Sequence, residues 1–91
     1  MKISEEKIQS EEDLSGLKYL LGDYGTKILL AIARGAKNEN FILMMSGVPK
    51  VCIQGRLPVL LNLNLIVKLA NEYYVTQRGK KYLKIVENTD N

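Results

Sequence analysis

An apolar run over residues 41–45 and an apolar stripe of helical period over 53–61 are separated by only seven residues, 46–52. So little chain between them forces two short helices to cross steeply through a tight turn. Such a crossing needs one residue free to take positive φ and apolar side chains to plug the junction. Gly47 supplies the first, and Val48, Ile53 and Leu57 the second, with Leu60 the next inward leucine. Pro49 suits a first helical turn, after which Ile53, Leu57, Leu60 and Leu61 recur at i, i+4, i+7 and i+8. Pro58 interrupts that stripe, so the second helix is expected either to start late, near Gly55, or to be kinked.

On either side of this pair the chain is punctuated just as clearly. Residues 1–9 are polar and acidic and read as an arm. Ser10, followed by Glu11, Glu12 and Asp13, resembles a capped helix start, and Leu14, Leu17 and Leu21 carry the helix to Gly22. A second helix is expected from Thr26, with Ile28, Leu29, Ile32 and Ala33 as its apolar stripe and Gly35 as its end. Asn38 is a plausible cap for the helix that carries Phe41, Ile42 and Met45. Beyond Asn64, a residue suited to a left-handed helix end, the period changes from helical to alternating. Ile66 to Leu69 and Tyr73 to Val75 form a hairpin across Ala70, Asn71 and Glu72, with Tyr73 and Val75 turned inward and Tyr74 outward. Gln77 to Glu87 then makes a final helix, with Leu83 and Val86 inward and Arg78, Lys80, Lys81 and Lys84 in solvent.

Over residues 41–83 the pattern resembles the winged helix-turn-helix of prokaryotic and archaeal transcriptional regulators of the MarR, ArsR and PadR type. Gly47, Val48, Ile53 and Leu57 match the turn and its plugs. Asn64, Leu65 and Ile66 stand where many members have a Gly-Leu-Ile step into the wing. Tyr73, Val75, Thr76 and Gly79, followed by Lys80, Lys81, Tyr82 and Leu83, match the exit from the wing into a basic helix. The resemblance implies a mainly α fold with a small β-hairpin, in one domain over residues 10–91. Its helix-turn-helix lies at about 39–63, its wing at 66–76 and its last helix at 77–87. It also implies double-stranded DNA as the partner. In such regulators extra terminal helices often form the dimer interface, so Leu14, Leu17 and Leu21 are expected to pair two copies.

Composition narrows the chemistry. The chain of 91 residues has no histidine and one cysteine, Cys52. It therefore lacks the usual general base, the usual partner of a Ser or Cys nucleophile and the commonest metal ligand, and it has no phosphate-binding glycine loop. No enzyme activity, cofactor or metal is expected. Cys52 reads as a small buried hydrophobe, and Met44 and Met45 as core filler or dimer contacts. With neither a membrane-length apolar run nor a signal-like start, the expected place is the cytoplasm and not a membrane. Residues 1–13 hold two bases against five acids, and the remainder eleven against five, so the body is more basic than the net charge of +3 suggests. A basic body suits a polyanion.

If Ile53, Leu57, Leu60 and Leu61 face the core, steps of about 100° per residue turn Val51, Gln54, Gly55, Pro58 and Asn62 outward, with Lys50 and Arg56 on the flanks. Lys50, Val51, Gln54 and Arg56 are thus the candidate DNA contacts on the recognition helix, and Lys68 and Asn71 those on the wing. The wing tip itself, Ala70, Asn71 and Glu72, carries no basic residue. The competing reading is a module for protein association, with Val51, Pro58 and Val59 as an apolar contact patch.

Overall fold

A computed structural model of the chain describes the backbone of residues 2–89, with side chains for Leu14 and residues 16–87. The capping role expected of Ser10 falls on side chains outside the described residues. The elements run α1 (Lys2–Ala33), α2 (Glu39–Ser46), α3 (Lys50–Asn62), β1 (Ile66–Leu69), β2 (Glu72–Val75) and α4 (Gln77–Thr89). Helical backbone thus begins at Lys2, within the stretch read as an arm and upstream of the start expected near Glu11. The first two expected helices also join without a loop. Gly22 alone breaks α1, at φ 67° and ψ −176°, a backbone conformation that residues other than glycine rarely adopt.

Four helix ends follow the chemistry of their residues. The N–H groups of Ala36 and Gly35 bond to the carbonyls of Ala31 and Ile32, and those of Leu65 and Asn64 to the carbonyls of Leu60 and Leu61. Both are Schellman closures, built on Gly35 at φ 114° and on Asn64 at φ 61°. Asn38 caps α2 by accepting a hydrogen bond from the Phe41 N–H at 2.9 Å. Gly47 ends the same helix in the left-handed region, at φ 72° and ψ 8°. Pro58 does not delay the start of α3 to Gly55, and helical backbone runs from Lys50 to Asn62 with the proline inside it. Pro58 lies on the exposed side of the helix, where its ring meets solvent rather than the core, and its missing N–H deprives the Gln54 carbonyl of its usual i+4 donor.

The wing is tighter than expected. Ala70 and Asn71 alone form the turn, both at positive φ (51° and 67°), as a two-residue type I′ hairpin requires. Glu72 is accordingly a strand residue, paired with Leu69, while Lys68 pairs with Tyr73, Val67 with Tyr74 and Ile66 with Val75. The Tyr73 N–H bonds to the Lys37 carbonyl at 3.0 Å, which ties the segment before α2 to the outer edge of β2. Tyr73 is buried as expected, while Val75 and Tyr74 are both half-buried.

The core gathers Leu14, Leu17, Leu21, Ile28, Leu29 and Ile32 of α1 with Ile42, Ile53, Leu57, Leu60, Leu65, Ile66 and Tyr82. Leu14, Leu17 and Leu21 are therefore buried within one chain, and they cannot be the face that meets a second copy. Among the described residues, Tyr19, Leu20 and Tyr24 are the large apolar side chains that α1 leaves outside. Two further expectations change. Met44, 76% exposed, and Met45, 47% exposed, are not core filler, because α2 sends only Ile42 inward. In α4 the fully buried side chain is Tyr82, while Leu83 and Val86 are half-buried against the core.

Candidate nucleic-acid interface

The first turn of α2, the first turn of α3 and the wing converge on one groove of about 320 Å³. It is lined by Asn38, Glu39, Asn40, Lys50, Lys68, Asn71 and Tyr73. Each contributor is positioned by backbone chemistry already described. The Asn38 cap fixes where α2 begins, the Gly47 turn aims the start of α3 at that same point, and the type I′ turn brings Asn71 round to it. Three residues expected to touch DNA, Lys50, Lys68 and Asn71, are brought together here, and all three are exposed. Asn38, Asn40, Glu39 and Tyr73 were not anticipated as part of the site. Their placement depends on how the wing folds back towards α2, and the Asn38 cap was the one signal that located the first turn of α2.

The remaining three candidates lie outside the groove lining. Gln54 is exposed one turn further along α3, and its amide nitrogen donates to Glu39 Oε1 at 3.4 Å. Val51 stands on the outer side, 74% exposed. Arg56 is half-buried on the flank, and its Nε is shielded from solvent with no hydrogen-bond partner. A guanidinium stem laid along the protein surface in this way is less available to a ligand than the two lysines. Val59, assigned to an outward apolar patch, is half-buried against the core, which leaves Val51 and Pro58 exposed.

Charge is distributed over the wing as well. The Lys68 ammonium lies 5.4 Å from the centre of the Tyr73 ring, and that of Lys37 lies 4.1 Å from the centre of the Tyr74 ring. The Tyr74 hydroxyl donates to Glu72 Oε1 at 2.7 Å, and this bond to a carboxylate holds its pKa above the usual tyrosine value. Both acids of the region are thereby engaged, Glu72 by Tyr74 and Glu39 by Gln54. Arg78, expected in solvent, is half-buried. Its Nε donates to the Leu63 carbonyl at 2.9 Å and holds the end of α3 to the start of α4.

Helices α2 and α3 crossing at Gly47, followed by a two-stranded hairpin and a closing helix, define a winged helix-turn-helix fold. The crystal structure of ligand-free NadR is similar, with a TM-score of 0.63 at 22% sequence identity over 97% of this chain and 73% of that one. No family model matches the chain. No curated protein matches it either. Among the described residues no helix is long and apolar enough to cross a membrane.

Proposed function

We propose that this chain is a transcriptional regulator that binds double-stranded DNA, with α3 in the major groove and the wing against the flanking backbone. The observation that carries this reading is the convergence of Lys50, Lys68 and Asn71, with Asn38 and Asn40, on one groove beside the start of α3. Two cations and three carboxamides suit phosphate oxygens, and the recognition helix of such folds contacts base edges through its N-terminal residues. The protein acts as a homodimer in the cytoplasm. Tyr19, Leu20 and Tyr24 on the outer side of α1, rather than the buried leucines, supply the dimer contact. It needs no cofactor or metal for this role.

Fluorescence anisotropy on a random-sequence duplex at several salt concentrations tests the reading. Binding should weaken linearly in log–log form as salt rises, and Lys50→Ala should lower that slope by about one. A wild-type chain that shows no salt-dependent binding to any duplex would turn the assignment towards protein association.

A further inference from the structure

The outward side of α3 is unusual for a helix that docks on DNA, because its most prominent side chain is aliphatic. Val51 lies in the first turn, opposite the buried Ile53, Leu57 and Leu60, and 74% of its surface is exposed. Helix propensity does not explain a valine there, since a β-branched side chain loses rotamer freedom in a helix and gains nothing from water. The neighbouring polar candidate, Gln54, has its amide turned to Glu39. Asn62, the other polar residue on that side, is at the far end of the helix from the groove. Lys50 adjoins Val51 in the chain and lines the groove together with Lys68, so phosphate-binding groups stand beside an apolar tip. The major groove offers one apolar handle to such a tip, the C5-methyl group of thymine.

We infer that Val51 is a specificity-determining residue that reads thymine methyl groups, so that the preferred duplex carries A·T pairs under the first turn of α3. The inference rests on the DNA-binding reading above. Charge favours DNA over an apolar protein partner for this surface, because residues 37–75 hold four bases (Lys37, Lys50, Arg56, Lys68) against two acids, each of which is hydrogen-bonded to a neighbour.

Two duplexes of one A·T-rich sequence, about two helical turns long, separate the possibilities. One contains thymine and the other uracil at every such position, so charge and pairing are the same and only the methyl groups differ. The full chain should bind the uracil duplex about fourfold more weakly for each methyl group contacted, the equivalent of one buried methylene. In Val51→Ser the two duplexes should bind alike, and thermal melting of that variant should match the wild type because the position is exposed. Comparing the two proteins on the two duplexes also cancels any effect of uracil on duplex shape. Equal wild-type affinity for both duplexes would overturn the inference while leaving DNA binding intact, and so would discrimination that persists in Val51→Ser. Failure of the wild type to bind either duplex would overturn the DNA-binding reading and this inference with it.

Discussion

Where α4 closes over the wing, each unusual residue answers to a neighbour; where α2 and α3 begin, several answer to nothing in the chain. Two helical glycines make the contrast concrete. A Cβ on Gly79 would run into the Leu65 carbonyl oxygen and would lie 2.7 Å from Val75 Cγ1, so α4 reaches the wing only because that position has no side chain. A Cβ on Gly55 would meet nothing within 4 Å, and the backbone there does not take positive φ. Arg78, Thr76 and Tyr82 belong with Gly79. Thr76 Oγ1 bonds to the Asn64 carbonyl at 2.6 Å and accepts the Gly79 N–H at 3.1 Å, while the Tyr82 hydroxyl pairs with Thr26 Oγ1 at 2.8 Å. Val51, Lys50 and Asn40 belong with Gly55, on a surface whose composition the fold does not require. Residues that packing explains account for the architecture, and those it leaves unexplained mark where an outside surface makes its demands.

The largest effect expected from this contrast is at Gly79. Gly79→Ala forces the backbone of α4 away from Leu65 and should cost about 3 kcal/mol, the upper end of the usual overpacking penalty. For a domain of this size that lowers Tm by roughly 12–24 °C. Thermal unfolding followed by circular dichroism measures it, and a variant that melts with the wild type would remove one side of the comparison.

Tyr82→Phe should be milder at neutral pH, costing about 1 kcal/mol for the lost hydrogen bond to Thr26. Its pH dependence is the more informative readout. Burial raises the Tyr82 pKa above 10.0, outweighing the Thr26 hydrogen bond, so the folded state favours the neutral phenol. That contribution is complete below the unfolded value of about 10 and is lost as pH rises through the raised folded value. Melting curves taken from neutral pH into that alkaline window should therefore converge for wild type and variant. A gap that stays constant would show that the hydroxyl is not held neutral by burial.

Smallest in stability is Gly55→Ala, and its sign is reversed. Alanine at an exposed helical position with room for a Cβ should raise stability by up to about 1 kcal/mol. If a duplex backbone or base edge approaches α3 closely at that point, the same change should weaken duplex binding. A variant that melts higher and binds as well as the wild type would show that Gly55 serves neither fold nor partner.

The local grammar of the chain was legible in its sequence because it depends on single residues with one dominant use. Asn38 as a cap, Gly35 and Asn64 as left-handed helix ends, Gly47 in the turn and Ile53, Leu57 and Leu60 of the inward stripe all stand as expected, while Leu61 of that stripe is half-buried against the core. What periodicity does not specify is which surface a buried stripe meets. Leu14, Leu17 and Leu21 were correctly placed on one face, but that face packs on its own chain. Residues 41–45 are apolar throughout, so no period distinguishes a buried side, and only Ile42 faces inward. The groove was half legible for a similar reason. Lys50, Lys68 and Asn71 could be nominated singly, but their meeting with Asn38, Asn40 and Glu39 depends on the two-residue turn and on the bond between Tyr73 and Lys37.

Removing equal charge from the two regions puts the comparison to its clearest test. Lys50 and Lys68 line the groove, whereas Lys80 and Lys81 are exposed on α4, so Lys50→Ala/Lys68→Ala and Lys80→Ala/Lys81→Ala change the net charge identically. Anisotropy of a labelled duplex titrated with each double variant over a range of salt concentrations gives both affinity and salt slope. The groove pair should lose about two from the slope, one for each phosphate contact, while the α4 pair should keep nearly the wild-type slope. Equal losses from both pairs would mean that the duplex senses only overall charge, and would contradict the assignment of α3 and the wing as its docking surface.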